Sequence, residues 1–383
     1  MVFPFRLPGV NYYGRGAVQY LAGEIQKERA KRVFLISDKG VAGAGLVDKI
    51  KNLITEAGAE VIEFLDVEAE PSVENVELAV KTFQEAGCDF IVGLGGGSPM
   101  DVSKAVSVVA VNGGSILDYV GIGLVPKPGV PFILIPTTSG TGSEVTQNAI
   151  FTDKQEQLKK GVVTEYFLPK AAIVDSDLTM SAPPKITAAT GMDALTHAIE
   201  SYTAPKATPQ TDLYALEAIR LIAKSLRRAV AYGADSEARE NMALGSVFAG
   251  ISLANAGVGA VHALAYPLGG QFGVPHGVAN ALLLPYVMEF NIVGHVAKFA
   301  GIAEAMGENV AGKSKREAAF LALKAVRELS QDVGIPQKLS EVGVTESDIE
   351  GLATATMNVT RLLGNNPRKV TLEDARNIFT KAL

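Results

Sequence analysis

Hydrophobic and polar positions follow two rhythms along this chain. Up to about residue 180, short β-branched apolar runs alternate with amphipathic stretches, and beyond it helical periodicity continues to the C-terminus. The runs at 32–37, 60–65, 89–94 and 132–135 predict strands, and the stretches at 44–57, 73–87 and 98–110 predict the helices between them. Strands this apolar, separated by helices, make βαβ units and a parallel sheet covered on both faces, with right-handed crossovers. One more short strand, 171–175, precedes the change of rhythm. After it, helices are expected at 186–203, 208–231, 236–255, 313–332 and 371–382. Ala182-Pro-Pro184 marks the join, since proline is tolerated in the first turn of a helix. The expected organisation is an α/β domain over 1–180 and an all-α domain over 181–383. The segment before Arg32 sets Pro4, Pro8 and Gly9 among β-type residues and reads as an edge hairpin. The sequence contains no internal repeat and no low-complexity tract.

Composition narrows the class. At 383 residues the chain has room for two cores, and 48% hydrophobic with 20% charged residues is the balance of a soluble globular protein. A net charge of −6 with no basic stripe argues against a nucleic-acid partner. The single Cys88 excludes an internal disulfide and fits a reducing compartment. The first residues lack the basic-then-apolar pattern of a signal peptide, and no apolar run of bilayer-spanning length is expected, so the expected location is cytoplasmic, with no membrane partner.

Histidine changes the picture. Of four histidines, three lie with an aspartate in Gly191-Met-Asp-Ala-Leu-Thr-His-Ala-Ile-Glu200, Val261-His-Ala-Leu-Ala-Tyr-Pro-Leu-Gly-Gly270 and Val274-Pro-His-Gly-Val-Ala-Asn280. Asp193 and His197 are four apart in good helix formers, which stacks them on one helix face. His262 and His276 supply the remaining donors. A pair of this spacing also occurs on solvated helix surfaces, and a lone histidine is commonly a hydrogen-bonded core residue. The apolar and glycine-rich settings here make an unpaired polar group costly and favour a metal site. One carboxylate and three imidazoles suit Fe(II), Zn(II) or a similar ion, with room for a substrate oxygen. His295 has no such neighbours and reads as an ordinary helix residue.

Two loops carry the second piece of chemistry. The strand Phe90-Ile-Val-Gly-Leu94 runs into Gly95-Gly-Gly-Ser-Pro-Met-Asp101 and then a helix. Gly95, Gly96 and Gly97 let backbone N–H groups approach a pyrophosphate, the helix N-terminus adds positive potential, and Ser98 is placed to cap it or to bond a phosphate. A bare glycine run is also a common tight turn. The next strand ends in Pro136-Thr-Thr-Ser-Gly-Thr-Gly-Ser-Glu144, rich in donors and free of bulk. Loops at the carboxyl ends of neighbouring parallel strands are where α/β sheets bind nucleotides. Asp38, at the end of the first strand, suits an adenosine ribose and repels the 2′-phosphate of NADP, or else caps a helix.

Together with Ala188-Ala-Thr-Gly191, Val145-Thr146 and the tail Asn366-Pro-Arg-Lys-Val-Thr-Leu-Glu-Asp374, these motifs resemble the iron-containing (group III) alcohol dehydrogenases over essentially the whole chain, nearest the lactaldehyde reductase and 1,3-propanediol dehydrogenase branch. The resemblance implies a dehydroquinate synthase-like fold, with an NAD-binding α/β domain over 1–180 and a helical metal-binding domain over 181–383. It implies metal ligands at Asp193, His197, His262 and His276, and NAD contacts at Asp38, Gly95, Gly96, Gly97, Ser98, Thr137, Thr138, Thr141, Ser143 and Lys159. It places Thr146, Asn148 and Leu253 near the substrate and implies a homodimer or higher homo-oligomer. Two positions depart from the pattern. Tyr266 stands where many relatives have a histidine near the nicotinamide, and a phenol keeps its proton at neutral pH where an imidazole exchanges one. Glu70 stands where some relatives place asparagine.

The expected activity is reversible NAD(H)-linked hydride transfer to and from short primary alcohols, diols or their aldehydes, with Fe(II), or alternatively Zn(II), as Lewis acid. Tyr266 is the one candidate for a proton-handling role. Glycerol dehydrogenase-like activity and a hydroxyacid–oxoacid transhydrogenase are the enzymatic alternatives. A metal- or nucleotide-binding protein without turnover is the alternative from another class.

Overall fold

Alternation along each apolar run divides its side chains between two cores, one on each face of a parallel sheet. In the computed structural model, which describes residues 4–156 and 158–383, the strands are β1 (Val10–Tyr13), β2 (Arg32–Ile36), β3 (Glu60–Phe64), β4 (Phe90–Gly95), β5 (Gly121–Ile122), β6 (Phe132–Pro136), β7 (Asn148–Asp153), β8 (Leu158–Val163) and β9 (Ala171–Val174). Six of them form one sheet in the order β1-β9-β6-β4-β2-β3, parallel at every pairing. The crossovers carry α1 (Leu21–Glu28), α2 (Lys39–Gly43), α3 (Leu46–Glu56), α4 (Val73–Ala86) and α5 (Gly97–Asn112). Phe34, Ile91 and Leu134 join Val76 of α4 and Val106 of α5 in one core. Val33, Val92 and Ile133 join Ile25 of α1 and Ile50 of α3 in the other. Each such side chain taken fully from water contributes roughly 1.5–3 kcal/mol, which is why the central strands read as continuous apolar runs.

The N-terminal segment is not a hairpin. β1 pairs in parallel with β9, register Val10 to Ala171. Asp175, just past β9, accepts from the N–H groups of Gly16 (3.0 Å) and Val18 (3.2 Å) and ties the following turn down. The partner strand lies some 160 residues away in sequence, so local pattern has no means of naming it. A second sheet, in the order β5-β8-β7, is an element the apolar pattern misses. Its β7 and β8 are antiparallel, and β8, Leu-Lys-Lys-Gly-Val-Val, is too polar at its start to register as a strand.

The remaining elements are helical: α6 (Pro184–Thr203), α7 (Pro209–Ala231), α8 (Ser236–Ala256), α9 (Ala260–Phe272), α10 (His276–Asn291), α11 (Val296–Ala305), α12 (Lys315–Asp332), α13 (Ile349–Met357), α14 (Thr360–Leu363) and α15 (Leu372–Ala382). Starts follow local chemistry: Thr208, Ser314 and Thr371 cap α7, α12 and α15 through capping boxes, and Pro184 opens α6. α6 is buried on every side from Gly191 to Thr203. Its threonines meet that environment by donating to their own helix, Thr196 to the Met192 carbonyl and Thr203 to that of Ile199. The segment His276–Gly294 corrects one expectation: at 19 residues it is long and apolar enough to cross a bilayer. Most of it lies inside this helical unit, with Leu282, Leu283, Leu284 and Val287 in the core, so its apolarity is that of a core helix.

Spatial clustering divides the chain into two units. One runs up to Thr138 and includes Gly142–Ala182, and the other is Ser139–Thr141 with Pro183–Leu383. The short excursion Ser139–Thr141 puts Thr141 with the helical unit, apart from Thr137, Thr138 and Ser143.

Candidate functional site

Three helices of the helical unit bring four donors to one point. α6 presents Asp193 and His197 one turn apart, α9 presents His262 in its first turn, and α10 presents His276 as its first residue. One donor atom from each lies within 4.8 Å of all the others. Nε2 of His197 is 3.8 Å from Asp193 Oδ1, and Nε2 of His262 and of His276 are each 4.0 Å from it. A first-row ion about 2.1 Å from each ligand asks for donors roughly 3–4 Å apart, so small side-chain rotations bring this set to bonding distance.

The hydrogen-bond inventory favours a cation. The Asn280 amide nitrogen donates to Asp193 Oδ1 at 2.7 Å and lies 3.1 Å from Nε2 of both His262 and His276. One NH2 group has two hydrogens, and the converging lone pairs outnumber them. Burial pushes the Asp193 carboxyl up, but the positive charge of His197, His276 and His262 in their protonated forms, with the Asn280 amide, outweighs it and holds it below the usual carboxylate range. Burial holds the His197 imidazole below its ordinary value. Among the described residues Nδ1 of His197 has no partner at hydrogen-bonding geometry, although the Gly140 backbone lies near enough to favour a proton on the ring. A charged carboxylate and neutral imidazoles are the forms that ligate.

The centre is closed on most sides. The side chains of Asp193, His197 and His262 are 3–5% exposed, while that of His276 is 32% exposed and marks the open side. Tyr266, one turn after His262, has its ring centroid 6.3 Å from that of His276. It packs on Leu253, Val258, Ala263 and Leu362, an apolar patch beside the metal donors.

In the α/β unit, the strand order reverses between β2 and β4, which are neighbours with their crossovers leading to opposite sides. The carboxyl ends of these strands carry Asp38 and the Gly95–Gly97 turn, held together by Ser37 Oγ donating to the Leu94 carbonyl at 2.8 Å. That crevice is where open α/β sheets take nucleotides. Gly95 has φ +150°, and a Cβ there would lie 2.6 Å from Pro99 Cγ, so only glycine turns the chain into α5. α5 starts without a side-chain cap at Gly96, leaving its first N–H groups for an anion. Ser98 is not the cap: its hydroxyl donates to the Ala69 carbonyl at 2.6 Å. Asp38 is one, accepting from Gly40 N and Val41 N through Oδ1. Thr137 N donates to Gly95 O at 2.9 Å, which brings the second loop against the first. Lys159, on β8, pairs with Glu70 at 2.5 Å.

Lys104 on α5 is fully buried and organises the rest of this loop. Its Nζ donates to Ser143 Oγ (2.7 Å), Thr146 Oγ1 (3.2 Å) and the Asn148 carbonyl (2.8 Å), and Ser143 donates to Asp101 at 2.6 Å. Burial pushes the Lys104 ammonium down to about 8 and the neighbouring Glu144 carboxyl up to about 7. The loop residues expected at cofactor and substrate thus hang on a cation that sequence reading passed over, although a lysine inside Val102-Ser-Lys-Ala-Val-Ser-Val-Val109 is its own signal. Asn280, four after His276, and Glu200, seven after Asp193, were similarly visible as same-face neighbours of ligands.

The description of the iron-containing alcohol dehydrogenases matches residues 8–176, and that of the C-terminal part of the Fe-containing alcohol dehydrogenase family matches residues 187–383. The chain belongs to the iron-containing alcohol dehydrogenase family. It is 42% identical over 383 residues to the 1,3-propanediol dehydrogenase of Klebsiella pneumoniae, covering 100% of this chain and 99% of that one. It is 39% identical over 373 residues to the lactaldehyde reductase of Escherichia coli K12, covering 97% of each. The crystal structure of a 1,3-propanediol oxidoreductase superposes with a TM-score of 0.98 at 42% identity, covering 100% of both chains. With its three-histidine, one-aspartate centre, this member of the family is a metal-dependent, NAD(H)-linked alcohol dehydrogenase and aldehyde reductase.

Proposed function

We propose that this iron-containing alcohol dehydrogenase interconverts short primary alcohols or diols and their aldehydes at an Fe(II) centre. The observation that carries this reading is the set of four converging donors, of which His276 alone is substantially exposed, with Tyr266 of a small apolar cluster beside it. When bound, the metal supplies Lewis-acid polarisation of the substrate oxygen and NAD supplies the hydride acceptor. Asp193, His197, His262 and His276 hold the ion, and burial of the first three excludes water from it. Leu253 and Tyr266 pack in one apolar cluster, and we assign the carbon chain of a short substrate to that side. Gly95, Gly96, Gly97 and the start of α5 take the pyrophosphate, with Ser98, Thr137, Thr138 and Ser143 of the same unit lining it. Lys104 holds Ser143, expected at the cofactor, and Thr146 and Asn148, expected at the substrate, in one register. Lys159 serves the cofactor from its pair with Glu70. Asp38 selects NAD over NADP by charge.

β1 lies at the sheet edge with Val10 and Tyr13 exposed, and a second copy adds there to form a homodimer. A monomer by sedimentation at micromolar concentration contradicts this. A half-buried single Cys88 suits the reducing cytoplasm.

The test is anaerobic turnover of metal-stripped protein re-supplied with Fe(II) or Zn(II), following NADH with short alcohols, diols and aldehydes. Activity that returns with Fe(II) supports the reading. Bound metal and NAD with no turnover for any substrate overturns it and favours a transhydrogenase. The Tyr266→Phe variant is expected to keep most of its activity, within a few-fold in kcat, because a phenol is a poor proton shuttle at neutral pH. A large loss of kcat with metal and NAD binding intact would show that the hydroxyl is used.

A further inference from the structure

We propose that Glu200 is a positioning residue of the metal centre, a buried carboxylate that locks the His262 ring with its Nε2 lone pair facing the metal while capping the helix that carries it. Glu200 sits on α6, one turn beyond His197, and is 5% exposed. Its Oε2 lies 2.6 Å from His262 Nδ1, and its Oε1 accepts from Val261 N at 2.7 Å. A carboxylate at this distance accepts, so Nδ1 carries the hydrogen. A neutral imidazole has one N–H, which leaves the lone pair on Nε2, the atom that faces Asp193 and Asn280.

The same contact sets where α9 begins. Gly259, its N-cap, has no side chain to offer. The first N–H groups go instead to Asn366 Oδ1 (Ala260 N, 3.3 Å) and to Glu200 (Val261 N). A Cβ at Gly259 would stand 3.0 Å from Asn366 Oδ1 and 3.4 Å from Glu200 Oε1, so glycine is what lets both acceptors close in. α6 therefore supplies two ligands and the group that aims a third. A helix cap alone does not need an ionised residue in the interior, where an unpaired charge is expensive. The carboxylate is accounted for by two donors at fixed positions, one of them the ring of a ligand. Partners of this kind fix ring orientation and raise ligand basicity.

This inference rests on the metal-centre reading, and the experiment separates the two. Metal affinity of intact apo-protein is measured by chelator competition with Co(II) and Zn(II), for the parent, Glu200→Gln and Asn366→Ala. Glutamine keeps the shape but offers one acceptor and one donor. Either its NH2 faces Nδ1 and drives the proton onto Nε2, or it faces Val261 N and loses the cap. Glu200→Gln is expected to bind metal roughly 10- to 100-fold more weakly, with an altered Co(II) visible spectrum. Asn366→Ala removes the neighbouring cap bond, together with the Asn366 bonds to Asn291 and the Arg368 carbonyl, without touching His262; it is expected to melt earlier yet bind metal within about two-fold of the parent. A parent that binds no metal fails the metal-centre reading. A Glu200→Gln variant that both binds metal and melts like the parent overturns the proposal, since neither bond then matters, as does an Asn366→Ala variant that loses as much affinity, since the role is then helix capping alone. The unmodified protein gives a reading independent of any variant's folding: imidazole 15N shifts must report the Nδ1–H form for His262, and an Nε2–H form overturns the proposal.

Discussion

His262→Ala is expected to lose stoichiometric metal and to lower NADH turnover by about a thousand-fold or more. The ring is one of four donors, and the remaining three would have to hold the ion without the imidazole that Glu200 aims. The Lewis-acid chemistry that an ion held by these four residues would supply is worth several kcal/mol, and each ~1.4 kcal/mol is a factor of ten in rate. The substitution also strands Glu200 Oε2 in the interior, which removes on the order of 1–3 kcal/mol from the apo-protein. Metal analysis of the purified variant, an anaerobic rate and a melting curve read the three effects separately. A variant with full metal and full rate would mean that the converging donors are not the catalytic centre.

Gly277→Ala is expected to damage the same centre from the backbone side. An added Cβ would meet the Ala189 carbonyl oxygen at 2.6 Å and its carbon at 3.0 Å, and neither belongs to a side chain that can rotate away. α10 must therefore retreat from α6. Gly277 follows His276 directly, and Ala189 is one turn before Asp193, so the retreat opens the distance between two ligands. Overpacking of this kind removes about 1–3 kcal/mol. Sites held more loosely than about half an ångström lose function disproportionately, so metal affinity should fall by roughly ten-fold or more. Thermal melting with chelator competition checks both. A variant with parental melting and parental affinity would show that this close approach does not place His276.

Some of this was legible without coordinates because its cause is local. The parallel sheet follows from β-branched runs alternating with helices, and Phe34 and Val33 fall in opposite cores simply because a strand alternates. Asp193 and His197 share a face by helical period alone. The ligand set stood out because histidine is scarce and three of the four lie in apolar or glycine-rich settings.

What was not legible depends on partners distant in sequence. β1 looked like half of a hairpin because a strand's pattern does not say whether its neighbour is six residues away or 160, and β9 won. The apolarity of His276–Gly294 is the same in a bilayer and in a core; burial against α6, α9, α12 and α15 decides it. Lys104, Asn280 and Glu200 each sat in plain view as polar residues in apolar helices, yet what each one bonds is set by another segment. Sequence by itself determined the sheet type, the strands β2, β3, β4, β6 and β9, the helices α3, α4, α5, α6, α7, α8, α12 and α15 and the chemical identity of the donors, since these follow from periodicity and residue chemistry within one element; α9 and α10, which carry His262 and His276, were not among the expected helices. Only the tertiary structure decided that Asp193, His197, His262 and His276 converge, which nitrogen of His262 faces inward and which glycine permits the approach, because distances between elements are fixed by packing across the chain and not by spacing along it.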